Sequence, residues 1–131
     1  MSASPVAAIE RIERIARLND LARQAMGVAC TVFATPGFRG LSASDQSSVR
    51  ELIETFDAFT RGNDPYGERD FGAIYQQGDG RWTTTKPHGE VRETIFWKID
   101  AYDRDLQFSS EDPANAAVTR RVLTIMLAQE Y

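Results

Sequence analysis

The sequence predicts an α+β fold: a mainly antiparallel sheet of three to five strands with three helices packed against it, in the order α-β-α-β-β-β-α. Three observations lead there. Two early segments space their apolar residues as helices do. The middle of the chain alternates apolar and polar residues between glycine-rich turns. The final segment is apolar on nearly every side. With 131 residues, 42% of them hydrophobic, the chain has enough apolar surface for one core without disulfides or metal staples, so a single domain over residues 1–131 is expected.

Ser4-Pro5 reads as a helix cap followed by proline at the first helical position, and a helix should run from there to about Met26. Glu10 with Arg14 and Glu13 with Arg17 are acid-before-base pairs four apart, the favourable orientation. Val6, Ile9, Ile12, Ile15, Leu18 and Leu21 recur every three residues. At about 100° per residue, each step falls about 60° short of a full turn, so the stripe walks round the helix. Its two halves should face different bodies: the domain core, and either a second subunit or another part of the chain.

Gly27 ends that helix. The β-branched run from Val28 to Thr35 is expected as a strand and Pro36 to Gly40 as a loop. Ser44 or Asp45 should cap a second helix reaching about Phe59, with Val49, Leu52, Ile53, Phe56 and Phe59 on one face. Thr60 to Asp70 is a polar loop. Phe71 to Gln77 is a strand, Gly78-Asp79-Gly80 a hairpin turn, and Arg81 to Lys86 its partner. After a turn at Pro87 to Glu90, Arg92 to Tyr102 forms another strand, and Leu106 to Ser109 a short extra one. Asp112-Pro113 repeats the cap-then-proline signal. A third helix is therefore expected to about Glu130, encircled by Val122, Leu123, Ile125, Met126 and Leu127, with Arg120 and Arg121 on its solvated side.

Composition narrows the function classes. A net charge of −4 and a pI near 5.0 give no bulk attraction for phosphate backbones, which argues against direct nucleic-acid binding. Cys30 is the only cysteine, so no internal disulfide can form; a buried, inert thiol in a reducing compartment fits. With no signal-peptide core and no membrane-length apolar run, a cytoplasmic protein is expected. His88 is the only histidine and sits in a turn without a partner acid or nucleophile. No nucleotide-binding glycine loop occurs, and no cofactor is expected.

The candidate surface comes from the strand around Trp97. Alternation puts Ile95, Trp97, Ile99 and Ala101 on a core face, and Phe96, Lys98, Asp100 and Tyr102 on the other, with Asp103 and Asp105 continuing the acid into the turn. If the 71–77 strand lies alongside, the loop bearing Asp64, Tyr66, Glu68 and Asp70 approaches Lys98 and Asp100. Three readings follow. The first is a solvated sheet face with an ordinary Lys98 ion pair. The second is a recognition surface with apolar contact from Tyr66, Phe96 and Tyr102 and register from the acids. The third is a Mg²⁺ or Ca²⁺ site using Asp64, Glu68, Asp70 and Asp100, although their spacing matches no established metal loop. Trp82 with Thr83, Thr84 and Thr85 reads as an exposed strand edge.

NDPYGERDFG (Asn63 to Gly72), FWKIDAYD (Phe96 to Asp103), SEDPANAAVT (Ser110 to Thr119) and RVLTIMLAQEY (Arg121 to Tyr131) resemble the hallmark stretches of a bacterial family known only as a domain of unknown function. The resemblance runs from about Leu18 to Tyr131. It implies a small protein, often carried on plasmids or other mobile regions, and brings no activity, substrate or catalytic residue. Members often have a histidine in the stretch matching Tyr66 to Arg69; this chain has none there, which argues against a histidine mechanism. The Gly78 to Thr94 hairpin is longer than the family's usual turn, so His88 and Trp82 within it should carry no family-wide role.

The expected function is a non-enzymatic accessory or interaction module that binds another protein or a second copy of itself through the first helix. One alternative is a divalent-metal-dependent hydrolase, with the four acids as ligands and Lys98 stabilising negative charge. Another is an acidic decoy that inhibits a host nucleic-acid-binding defence protein; Arg11, Arg14, Arg17 and Arg23 argue against it along the first helix.

Overall fold

The structure, a computed structural model, describes residues 4–131. Its first helix, α1 (Pro5–Gln24), starts where the sequence places it, with the Ser4 hydroxyl accepting from the Ala7 amide and proline at the first turn. Gly27 follows at φ +81°, a left-handed turn that glycine adopts without steric cost. The next strand, β1, spans only Thr31–Ala34, because Val28 lies in the turn and is exposed. The predicted 36–40 loop contains a helical turn instead, α2 (Pro36–Arg39), capped by Thr35. Helix α3 (Ala43–Glu54) begins after Ser42, whose hydroxyl accepts from the Asp45 amide.

The strands β2 (Phe71–Gln77) and β4 (Val91–Tyr102) agree closely with their expected positions, while β3 shrinks from the expected Arg81 to Lys86 to the two residues Trp82–Thr83. Strand β3 does form an edge of the sheet, but the Trp82 side chain is not exposed there: it packs against the core and its indole donates to Asp45 at 3.0 Å. Leu106 to Ser109 contributes only a bridge between Tyr102 and Ser109.

The largest correction concerns the C-terminus. Residues Arg120–Leu127 form a strand, β5, flanked by 3-10 turns at Ala116–Val118 and Ala128–Glu130; the third helix expected there does not exist. The sheet order is β1-β5-β4-β2-β3, so β5 is an interior strand. It pairs antiparallel with β4 and parallel with β1, the one parallel pair in an otherwise antiparallel sheet. An interior strand with apolar residues on both faces has the same near-continuous apolar run as a buried helix, and eight residues is a strand's length. Asp112, read as a helix cap, instead closes a turn, accepting from Ala114 through its side chain and from Asn115 through its carbonyl.

The fold is therefore α+β, with all three helices contributing to one face of a five-stranded mixed sheet. Their core residues, among them Ala22, Phe38, Val49, Ile53 and Phe56, pack on Ile74, Ile95, Trp97, Leu123 and Ile125. Trp97 sits at the centre, fully buried, edge-on to Phe56 and Phe59. The opposite strand position is Gly72, and a Cβ there would collide with the Trp97 indole and lie 2.8 Å from Phe56. Glycine is required here by close approach, not by backbone angle. Gly72→Ala is expected to lower stability by about 1–3 kcal/mol, as overpacking does, measured as a lower urea midpoint with an unchanged slope.

Candidate functional site

The acids and aromatics singled out in the sequence divide between one face of the sheet and its end, with Asp100 at the junction of the two. Strand register puts Phe71 opposite Lys98 and Ala73 opposite Phe96, so these share the face away from the helices. Lys98 and Asp100 form an ion pair there at 2.8 Å, each side chain a little over one-third exposed. The bond to Asp100 raises the Lys98 pKa above its ordinary value. Phe96 stacks with Phe71, and the C-terminal Tyr131 sets its ring edge-on against both. Phe33 on β1 and Val122 on β5 extend the same face by register.

Asp70 and Glu68 sit elsewhere, at the end of the sheet. The carbonyl of Asp70 accepts from the Ile99 amide, prolonging the β2–β4 ladder by one bond. Arg69, at φ +53°, then turns the chain away. Past this point the β2-side edge of β4 is free until Ser110, whose amide donates to the Ala101 carbonyl. A cavity of about 340 Å³ occupies the notch, lined by Glu68, Asp70, Ala101, Ser110, Asn19 and Arg121 among others.

Asn19 and Arg121 are the residues that sequence reasoning missed. Arg121 was expected on a solvated helix side; it is 7% exposed. Its Nε donates to Asn19 Oδ1 at 2.7 Å and its Nη2 to the Pro113 carbonyl at 2.6 Å. Asn19 in turn donates to the Glu68 carbonyl at 2.9 Å. The signal lay in alternation: Arg121, Leu123 and Ile125 share a face of β5, and the latter two are core.

Burial raises the carboxyl pKa values of both Glu68 and Asp70, and repulsion from neighbouring acids adds to it: Asp70 and Asp64 act on Glu68, while Asp64 and Asp100 act on Asp70. The acids therefore do come within electrostatic reach of one another. Among the described residues, though, no three of His, Cys, Asp and Glu are placed to hold one metal ion. Asp64 is occupied in holding the loop, its carboxylate accepting from the Arg69 amide. Asp103 likewise closes its turn onto Gln107, and Tyr66 stands exposed. Cys30 is half-buried, and burial pushes its thiol pKa up. Among the described residues, no helix is long and apolar enough to cross a membrane.

A raised carboxyl pKa means the ionised form costs the native state free energy. That cost is absent below the unfolded values near 3.8 for aspartate and 4.5 for glutamate, and is in full force once pH exceeds the raised folded value. Asp70→Asn should therefore raise the melting temperature at pH 7, and the gain should vanish in scans below pH ~3.8.

A family model described as "Protein of unknown function (DUF3768)" matches residues 34–130, starting after α1 and so later than the Leu18 expected from the resemblance. Comparison with curated proteins and with solved structures finds no match.

Proposed function

The chain belongs to the DUF3768 family of proteins of unknown function, and from its geometry we propose that it is a protein-interaction module that associates with a second copy of itself through the sheet face opposite its helices. The carrying observation is the chemistry of that face. A sheet side meant only for water alternates to polar residues. This one presents Phe33, Phe71, Phe96, Val122 and Tyr131 round a single ion pair, and among the described residues no helix covers it. Phe33 is 54% exposed and Tyr131 76%.

Self-association suits the charges. Lys98 and Asp100 are adjacent on one strand face, so a two-fold axis between facing sheets brings each lysine against the other copy's aspartate. Two sheets packed face to face bury their aromatics in an ordinary sandwich geometry. Most of this face, including Phe71, Phe96, Lys98 and Asp100, also lies within the family match, whereas α1 does not.

A second reading keeps the interface on α1. Its first turns leave Val6 64% and Ile9 62% exposed, while Ile15 is buried, so the walking stripe is left half-covered. The remaining readings have less behind them. The hydrolase lacks a converging ligand set. The decoy needs a continuous free acidic stripe, yet Asp20, Asp79, Asp100 and Asp112 are each ion-paired and Glu68 and Asp70 line a cavity.

Sedimentation equilibrium should show a dimer. Phe33→Glu and Lys98→Glu should each weaken it about tenfold, roughly 1.4 kcal/mol, and the double exchange Lys98→Glu with Asp100→Lys should restore it. A monomer at every concentration, or a dimer indifferent to these changes, refutes the sheet-face reading. Dissociation by Ile9→Glu alone moves the interface to α1.

A further inference from the structure

The cavity at the end of the sheet has the features of a built ligand site; it meets the exposed sheet face at Asp100 and Tyr102, which line it as well. Its first feature is a buried cation without a counter-ion. Arg121 is 7% exposed, lines the cavity, and makes no ion pair among the described residues; its hydrogen bonds there go to neutral oxygens of Asn19 and Pro113. Its Nη1 makes no hydrogen bond to any described residue. A buried charge left uncompensated in this way is costly, and an anion that reached it would relieve the cost. Asn19, held by the Glu68 carbonyl, fixes the guanidinium in place.

The second feature is a complementary negative wall. Glu68 and Asp70 line the same cavity and repel each other. Glu68 is the one charged group that acts on Arg121, and it does so from beyond ion-pair contact. Space therefore separates opposite charges that have not closed on each other.

The third feature is backbone. The Ile99 amide and the Ala101 carbonyl are both engaged on the β2 side of β4, to Asp70 and Ser110 respectively. In a strand both polar groups of a residue point the same way. The Ile99 carbonyl and the Ala101 amide therefore face the notch, and no other backbone group among the described residues bonds them there. A cavity of about 340 Å³ that carries a cation, three acids (Glu68, Asp70 and Asp100, the last paired with Lys98) and a free backbone donor and acceptor lies at the small end of the usual range for ligand pockets.

We propose that this cavity binds a free α-amino acid, its carboxylate on the Arg121 guanidinium and its ammonium between the Glu68 and Asp70 carboxylates. A simple anion would satisfy Arg121 but face the two acids. A simple cation would satisfy the acids but leave Arg121 bare. Only a ligand with both charges close together relieves both walls at once. The stability cost of the two acids is then the cost of keeping the site ready in the free protein.

The test is calorimetric titration of the full chain at pH 7 with each of the twenty amino acids, and with acetate and ethylammonium as half-ligands. At least one amino acid should bind one to one and raise the melting temperature by mass action. Glu68→Gln and Asp70→Asn, neither of which removes packing, should each weaken it at least about tenfold, roughly 1.4 kcal/mol. Arg121→Lys, checked for folding by circular dichroism, should do the same. If it does not fold, the two acid variants decide the matter. No amino acid binding at millimolar concentration, acetate or ethylammonium binding as tightly as the amino acid, or affinity unchanged in both acid variants would each overturn the proposal. Glu68 and Asp70 lie off the sheet face, so an effect of their variants on amino-acid binding with an unchanged sedimentation profile is distinguishable from the fate of the sheet-face interface.

Discussion

The arrangement of this protein depends on one buried guanidinium. Arg23, near the end of α1, is 3% exposed. Its Nη1 donates to the carbonyls of Ile53 and Glu54 at 3.0 and 2.9 Å, closing the last turn of α3, where backbone acceptors are left over and the helix dipole favours a cation. Its Nη2 pairs with Asp20 at 3.1 Å, and Asp20 also takes Arg69 from the loop ahead of β2. The same guanidinium lies over the Phe59 and Trp97 rings. One side chain thus joins two helices, a loop and the central strand. Its Nε and the Trp97 Nε1 are both buried without partners. Each such atom costs on the order of 1–3 kcal/mol, and the aromatic packing over Gly72 offsets it.

Fixing α1 this way has consequences at both ends of the sheet. It holds Ile15 and Asn19 over the last residues of β4 and the first of β5, which roofs the notch and orients Arg121. It also commits the helices to one face, leaving the other to Tyr131. The chain's far end is secured separately: Glu130 accepts from the Thr35 hydroxyl, the Gly37 amide and the Leu127 amide, bonds that hold its carboxyl below the usual range. That clamp ties the end of β5 to α2 and places Tyr131 on the open face.

Much of this was legible locally. Ser4-Pro5, Gly27, the 71–77 strand and the 78–80 turn follow from capping, glycine and alternation, all of which act within a few residues. The face assignment of Phe96, Lys98, Asp100 and Tyr102 followed from the two-residue period of a strand. The 112–130 segment misled because its apolar run satisfies both a buried helix and an interior strand, and only its partners β1 and β4 distinguish them. Asn19 and Arg121 were illegible for a related reason. One lies on a helix and the other on that misread strand, about a hundred positions apart, and the alternation that puts Arg121 on the core face with Leu123 and Ile125 is visible only once the segment is read as a strand.

By itself the sequence determined the fold class, the bounds of α1, β2 and β4 to within about two residues and the two sides of β4, because these rest on local backbone preference and side-chain periodicity. The tertiary structure alone decided that the C-terminus is a strand, that the helices leave one sheet face open, and that Glu68 and Asp70 share a cavity with Arg121. Those depend on which segments meet, and a pairing between residues far apart in the chain is set by the summed burial of the whole core, which no local window contains.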